Sequence, residues 1–422
     1  MALTEKALAY LALSYGFIGL ALLLREPSIT AFVITIALLL FYSAVSSRAQ
    51  IPRLSILREL NPRRSFGGES IDVTVQVTNA SERRIDNLQL EDRISHSLTL
   101  EAGTNVLHLS MGAGEQVEFT YRIFAPQRGT YPLGPMGFRT SDLLGFRDYK
   151  GEISGQDILT ILPRVEELGP VELRARRVGP WPGMVPSRRI GIGTDFFELR
   201  PYGPGDELKR INWKASAKQA KLIANEFEGE QVTDVVIVLD CSEGITSKLF
   251  DFDAAEFEIS LAASLCSQLI LQGNRVGLSV YGSVRTWVDP AFGKRHLLKI
   301  LDSLAVVKAG RATLPMDYAV ESVIVTVVPA KSVIVFISPL LGNAIVDIIT
   351  NIAARGYSLL CITPVANSTA AADSDSMRLA KKILAAERRN KMTQVAKVAK
   401  LIELSPAIPI RPLLRRKTWR TV

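Results

Sequence analysis

The chain opens with two apolar runs, residues 7–24 and 29–45, and neither contains a charged residue. Each is close to the length that crosses a hydrocarbon core of about 30 Å at ~1.5 Å per helical residue. The connector Arg25-Glu26-Pro27-Ser28 is so short that the two runs must fold back on each other, which predicts a transmembrane helical hairpin over residues 1–47. A cleavable signal peptide fits less well, because the first run lacks a basic leader and a second run follows at once. Lys6 precedes the hairpin and Arg48, Arg53, Arg58, Arg63 and Arg64 follow it, against Arg25 alone in the connector. That bias predicts a multi-pass cell-membrane protein with both ends and all soluble domains facing the cytoplasm. Residues 48–65 form a basic juxtamembrane linker.

Beyond the linker the period changes to two. Ser70-Ile71-Asp72-Val73-Thr74-Val75-Gln76-Val77 alternates polar and apolar side chains, as a half-buried strand does. Further short strands are predicted at 88–91, 106–109, 116–123, 129–133 and 158–161, divided by Gly, Pro, Asn and Asp turns. Residues 66–162 therefore read as a small β-sandwich, a spacer or interaction module.

From 232 to 404 the pattern alternates strand and helix. Residues 235–239 are a continuous apolar run ending in Asp240, as in a parallel strand buried on both faces. Helices are predicted at 254–272, 295–304, 316–328 and 343–354, and strands at 275–281, 284–288, 332–337 and 358–362. The implied fold is a doubly wound α/β sheet, whose ligands bind at the carboxyl ends of its strands.

Residues 163–231 lead into this domain and carry the most distinctive run, 191–217. Pro204-Gly205 suits the centre of a type II turn. Asp206 is placed to cap the element after it, with Leu208, Ile211 and Trp213 as apolar anchors. Arg200, Arg210 and Lys214 beside Asp195, Asp206 and Glu207 are suited to an ion-paired network. A phosphate loop at Gly191-Ile192-Gly193 is disfavoured, since a third glycine and a preceding strand are lacking.

This run resembles a known family, the MoxR-associated membrane proteins carrying "domain of unknown function 58". The resemblance rests on Asp195-Phe196, Leu199-Arg200 with Tyr202, Pro204-Gly205-Asp206, and Arg210-Ile211 with Trp213-Lys214-Ala215-Ser216-Ala217. It extends upstream to Arg128-Gly129 with Tyr131 and to Asp142 with Gly145-Phe146. It implies a von Willebrand factor A-like domain over 232–404 and a functional pairing with a MoxR-type AAA+ ATPase. In A-like domains an Asp-x-Ser-x-Ser loop, a threonine and an aspartate assemble a Mg²⁺ site from hard oxygens. Asp240 and Ser242 match, and Thr313 is the candidate threonine. Gly244 stands in the third loop position and Ser338-Pro339 where the last aspartate should be. The set is incomplete, so Asp240 and Ser242 are expected to shape a docking surface, with Mg²⁺ as the alternative ligand.

Composition narrows the chemistry. The 422 residues include three cysteines and three histidines, scattered and mostly in apolar surroundings, which argues against disulfide, thiolate-zinc and histidine-based sites. No Gly-x-Ser-x-Gly elbow, Walker lysine loop or His-Glu-x-x-His occurs, so no enzymatic activity is expected. Net charge is +8, but from residue 377 onward thirteen Lys/Arg face only Glu387 and Glu403, so the basicity belongs to the C-terminal end. Residues 377–404 read as a last amphipathic helix packed on the sheet with a solvated basic face. The 405–422 tail, with Arg415, Arg416, Lys417 and Trp419, suits anionic lipid better than nucleic acid.

Together these features predict a membrane-anchored, non-enzymatic adaptor that binds a MoxR-type ATPase through the 195–214 block and the Asp240 edge. The rival expectation is a divalent-metal-dependent adhesion or ligand-binding receptor.

Overall fold

The computed structural model describes residues 2–3, 5–24, 31–38, 52–141, 147–169, 171, 196–203, 206–227, 234–242, 250, 252–282, 285–310, 315, 320–329, 332–365 and 375–405. They divide into two compact units, 1–164 with 304–306, and 165–303 with 307–422.

In the first unit the strands are Ala2–Leu3 (β1), Leu54–Asn61 (β2), Arg64–Phe66 (β3), Glu69–Asn79 (β4), Ile85–Asp92 (β5), Thr99–Gly103 (β6) and Val106–Met111 (β7). They continue with Gln116–Ala125 (β8), Gly129–Leu133 (β9), Met136–Ser141 (β10), Arg147–Ile153 (β11) and Asp157–Leu162 (β12). Three sheets result, ordered β1-β11-β10-β5-β7, β2-β4-β8-β6 and β3-β12-β9. The alternation seen in the sequence sets the core: Ile71, Val73, Val75 and Val77 of β4 are fully buried while their neighbours are not. They pack with Leu88, Leu90, Tyr121, Ile123, Met136, Leu159 and Ile161 in a sandwich-like interior. Each such aliphatic side chain contributes about 1.5–3 kcal/mol on burial.

A buried ion pair joins the sheets. Arg58 of β2 donates from Nε and Nη2 to Asp92 of β5 at 3.0 and 2.7 Å, and from Nη1 to Asp157 of β12 at 2.6 Å. The Tyr121 hydroxyl donates to the same Asp92 carboxylate at 2.7 Å.

The second unit contains an antiparallel ribbon, Phe196–Pro201 (β13) with Ile223–Phe227 (β14). It also holds a six-stranded sheet of Asp234–Cys241 (β15), Arg275–Gly282 (β16), Thr286–Ala291 (β17), Val333–Ile337 (β18), Ser358–Pro364 (β19) and Lys400–Leu404 (β20). The order is β17-β16-β15-β18-β19-β20, all parallel except β17 at one edge. Helices Ala254–Leu271, Ala344–Ala354 and Asp375–Val398 lie in the connections β15 to β16, β18 to β19 and β19 to β20. Val236, Val238, Ile334, Phe336 and Ile349 are at the centre of its core.

The expected architecture is corrected on two counts. A two-helix transmembrane hairpin is not evident. Glu5–Leu24 (α1) is helical and residues 31–38 are helical, whereas residues 25–30 and 39–51 lie outside the described residues. The described helix that is long and apolar enough to cross a bilayer is Ala254–Leu271, and 61% of it is buried inside the protein. Its apolar length comes from packing on a sheet, which an apolar run alone does not distinguish from a membrane span.

The described residues are also more β-rich than a doubly wound α/β domain with a small sandwich would be, with strands spread over five sheets. The mixed six-stranded sheet does not by itself establish a von Willebrand factor A-like domain. Pairing recruits segments that the patterning did not mark as strands, including β2, β10, β11 and β20. Residues 400–404, read as the end of a helix, form the outermost parallel strand against β19.

Candidate functional site

Two clusters in the second unit gather the residues with chemistry. The first is the 199–224 segment. Arg200, near the end of β13, donates from Nη1 to Asp206 Oδ2 at 2.8 Å and from Nη2 to Oδ1 at 2.6 Å. The Gly203 amide donates to Asp206 Oδ2 at 2.8 Å, and the Tyr202 hydroxyl donates to the Asp206 carbonyl at 2.9 Å. The Arg200 guanidinium and then the Gly203 amide hold the Asp206 carboxyl below its ordinary range.

Asp206 thus closes its own loop, and a different residue caps the helix. The Asn212 side chain accepts from the Ala215 amide at 2.9 Å, opening the short helix Trp213–Gln219 (α2). Ser216 fastens that helix to the ribbon by accepting from the Ile223 amide at 2.9 Å. Of the three expected apolar anchors, Ile211 is buried, whereas Leu208 and Trp213 are 71% and 67% exposed. Arg210 lies 3.9 Å from Glu207, and Lys214 forms no ion pair among the described residues. Asp195, Pro204 and Gly205 lie outside the described residues.

The second cluster lies where the sheet order reverses, between β15 and β18, the usual ligand position in open α/β sheets. Asp240, at the end of β15, is buried; its Oδ1 accepts from the Ser242 amide at 3.1 Å and its Oδ2 from the Ser338 hydroxyl at 2.8 Å. Burial pushes its carboxyl up, against those hydrogen bonds. Patterning did not mark the two charged residues nearby. Glu258 of Ala254–Leu271 (α3) is fully buried, and neither of its carboxylate oxygens has a hydrogen-bond partner. Burial, and then the charge of Asp240, push its carboxyl well above the ordinary range. Arg388 donates to the carbonyls of Pro339 and Pro364 and to the Thr363 hydroxyl, and its guanidinium stacks 5.8 Å above the Phe250 ring. The signal for Glu258 is in the sequence: it occupies an inward position of the α3 pattern, one residue before buried Ile259.

The described residues do not complete a divalent metal centre: Ser338 supplies a neutral hydroxyl, bonded to Asp240 Oδ2, where the expected set needs a carboxylate, and they contain no group of three or more His, Cys, Asp or Glu suited to an ion. Thr313 and Gly244 lie outside the described residues, as do Arg415, Arg416, Lys417 and Trp419.

Residues 198–366, which include the 199–224 segment and Asp240, Glu258 and Ser338 of the second cluster but not Arg388, match the family described as "Protein of unknown function DUF58". The uncharacterized protein YeaD of Bacillus subtilis is 22% identical over 328 residues, covering 76% of this chain and 76% of its own length. The uncharacterized protein Rv1480 of Mycobacterium tuberculosis is 23% identical over 172 residues, covering 40% of this chain and 53% of its own. Among solved structures, Escherichia coli alpha-2-macroglobulin aligns with 27% of this chain and 17% of its own at 14% identity and a TM-score of 0.23, too low to support an argument.

Proposed function

We propose that this chain is a membrane-associated, non-enzymatic scaffold whose 199–224 segment docks a protein partner, and that the partner is a MoxR-type AAA+ ATPase in protein assembly or maturation. The observation that carries the docking face is the exposure of Leu208 and Trp213, on a segment fixed from behind by Arg200–Asp206 and Ser216. Leu199 and Leu222 add 43% and 48% exposed apolar side chains, and Lys209, Lys214, Lys218 and Lys221 surround them with exposed cations. Large apolar anchors within a basic rim suit a partner with an apolar pocket edged by carboxylates. The ATPase follows from the family resemblance of the same segment.

Membrane association is supported by α1, where Leu8, Leu13, Tyr15 and Leu23 are between 50% and 80% exposed. The Lys/Arg bias around it favours a cytoplasmic face for the soluble units.

The test is cross-linking in intact cells, followed by capture of the tagged protein and mass spectrometry. An AAA+ ATPase should be recovered with the native chain and lost with Leu208→Ala/Trp213→Ala. Equal recovery from both would remove the docking role from this face, and absence of the ATPase from both would remove the partner.

A further inference from the structure

The helix Asp375–Val398 (α7; α4 is Lys294–Ala305, α5 Ser322–Val327 and α6 Ala344–Ala354) has one face buried on the protein and an opposite face that carries exposed apolar side chains. Its inner face is anchored. Lys381, Arg388 and Val395 are 8%, 4% and 0% exposed, Arg388 holds the Pro339 and Pro364 carbonyls, and Lys391 donates to the Leu341 carbonyl. The helix therefore cannot roll to bury its other side.

On that other side Leu379 and Ile383 are 60% and 52% exposed. At about 100° per residue they fall on one line with Ala386 and Asn390. Arg378, Lys382 and Arg389 fall together along one flank of that line, and Glu387 falls on the opposite flank. Arg378 pairs with Asp375, whereas Lys382 and Arg389 are exposed and form no ion pair among the described residues. The sequence pattern suggested a solvated basic face here. The structure instead places a shallow apolar line beside uncompensated cations.

We infer that the outer face of α7 lies on an anionic bilayer surface, with Leu379 and Ile383 entering the headgroup–acyl boundary and Lys382 and Arg389 meeting lipid phosphates. A helix bound flat at an interface needs an apolar line with cations beside it, and no deep complementary pocket. This surface is separate from the 199–224 docking face and does not depend on it.

The test uses the full chain carrying Ile383→Cys labelled with nitrobenzoxadiazole; Cys241, Cys266 and Cys361 are buried, so the label goes to position 383. The protein is reconstituted in nanodiscs of phosphatidylcholine, alone or mixed with phosphatidylglycerol. The expected result is a blue-shifted emission shielded from acrylamide in the phosphatidylglycerol discs, reversed by high salt. Lys382→Glu/Arg389→Glu should weaken that response at least tenfold, since about 1 kcal/mol per cation corresponds to roughly fivefold each. Unchanged melting of this exposed-site variant would show that its fold is intact, and the salt response of the native sequence is a second, variant-free readout. Identical emission in the two lipid mixtures would overturn the inference.

Discussion

Arg200 holds both carboxylate oxygens of Asp206, and the Gly203 amide and the Tyr202 hydroxyl also donate to Asp206. A guanidinium fork meeting a carboxylate is geometrically specific as well as attractive. It explains how Leu208 and Trp213 can be held exposed without collapsing into the core. Because the folded value of Asp206 is depressed, its contribution is present above the unfolded carboxylate value and is lost as pH falls through the folded value. Protection of the Gly203 amide, measured against its intrinsic exchange rate at each pH, should therefore hold down to about pH 4 and fall below it. Asp206→Asn should show the faster exchange at neutral pH, with little change in global melting.

Glu258 gives the opposite sign. Its folded value is raised, so the folded state binds more protons than the unfolded state between the ordinary glutamate range and that raised value. Stability should fall as pH rises through this window. Glu258→Met removes a buried carboxylate without a hydrogen-bond partner and keeps most of the volume. It should stabilise the second unit by about 1–3 kcal/mol at neutral pH. The gain should shrink toward about pH 4. Urea melts at the two pH values check this, and a loss of stability at neutral pH would show that the carboxylate is held by interactions worth more than its burial costs.

Breaking the sandwich pair from one side should be severe. Asp92→Ala leaves Arg58, 9% exposed, with only Asp157 and the Gly155 carbonyl. A loss of about 3–5 kcal/mol is expected in chemical denaturation. Tyr121→Phe removes one hydrogen bond to the same carboxylate and should cost about 1–3 kcal/mol, since the acceptor is charged.

Ile211 and Trp213 should separate stability from binding. Ile211→Ala empties a buried position against β14 and should cost about 2–5 kcal/mol. Trp213→Ala should stay within about 0.5 kcal/mol of the native stability, because the indole is mostly solvated. Guanidinium melts distinguish the two. A large loss for Trp213→Ala would mean that the indole supports the fold and is not kept for a partner.

Much of the local structure could be read from side-chain period alone. Alternation marked β4 and β8 because one face of each strand meets the sandwich core. Continuous apolar runs marked β15, β18 and β19 because both of their faces are covered. The family resemblance picked out the Arg200–Asp206 segment, although its capping logic came out differently: Asn212 opens the helix, and Asp206 turns back to Arg200. What patterning could not supply was pairing and covering. β20 became a strand because β19 offered an open edge to residues that would otherwise extend a helix. The length and apolarity of α3 reflect a sheet packed against it, a condition that no single segment encodes.

Tertiary structure likewise decided the charged cluster. Asp240 was legible as the residue at the end of an apolar strand. Its link to Ser338, and the burial of Glu258 and Arg388 close by, join residues between 18 and 148 positions away along the chain. The sequence determined which residues are apolar, charged or turn-forming, and hence where strands and helices could begin and end. Only the folded chain determined which apolar side chains stay in water and which carboxylates lose it, because desolvation is set by everything packed around a group.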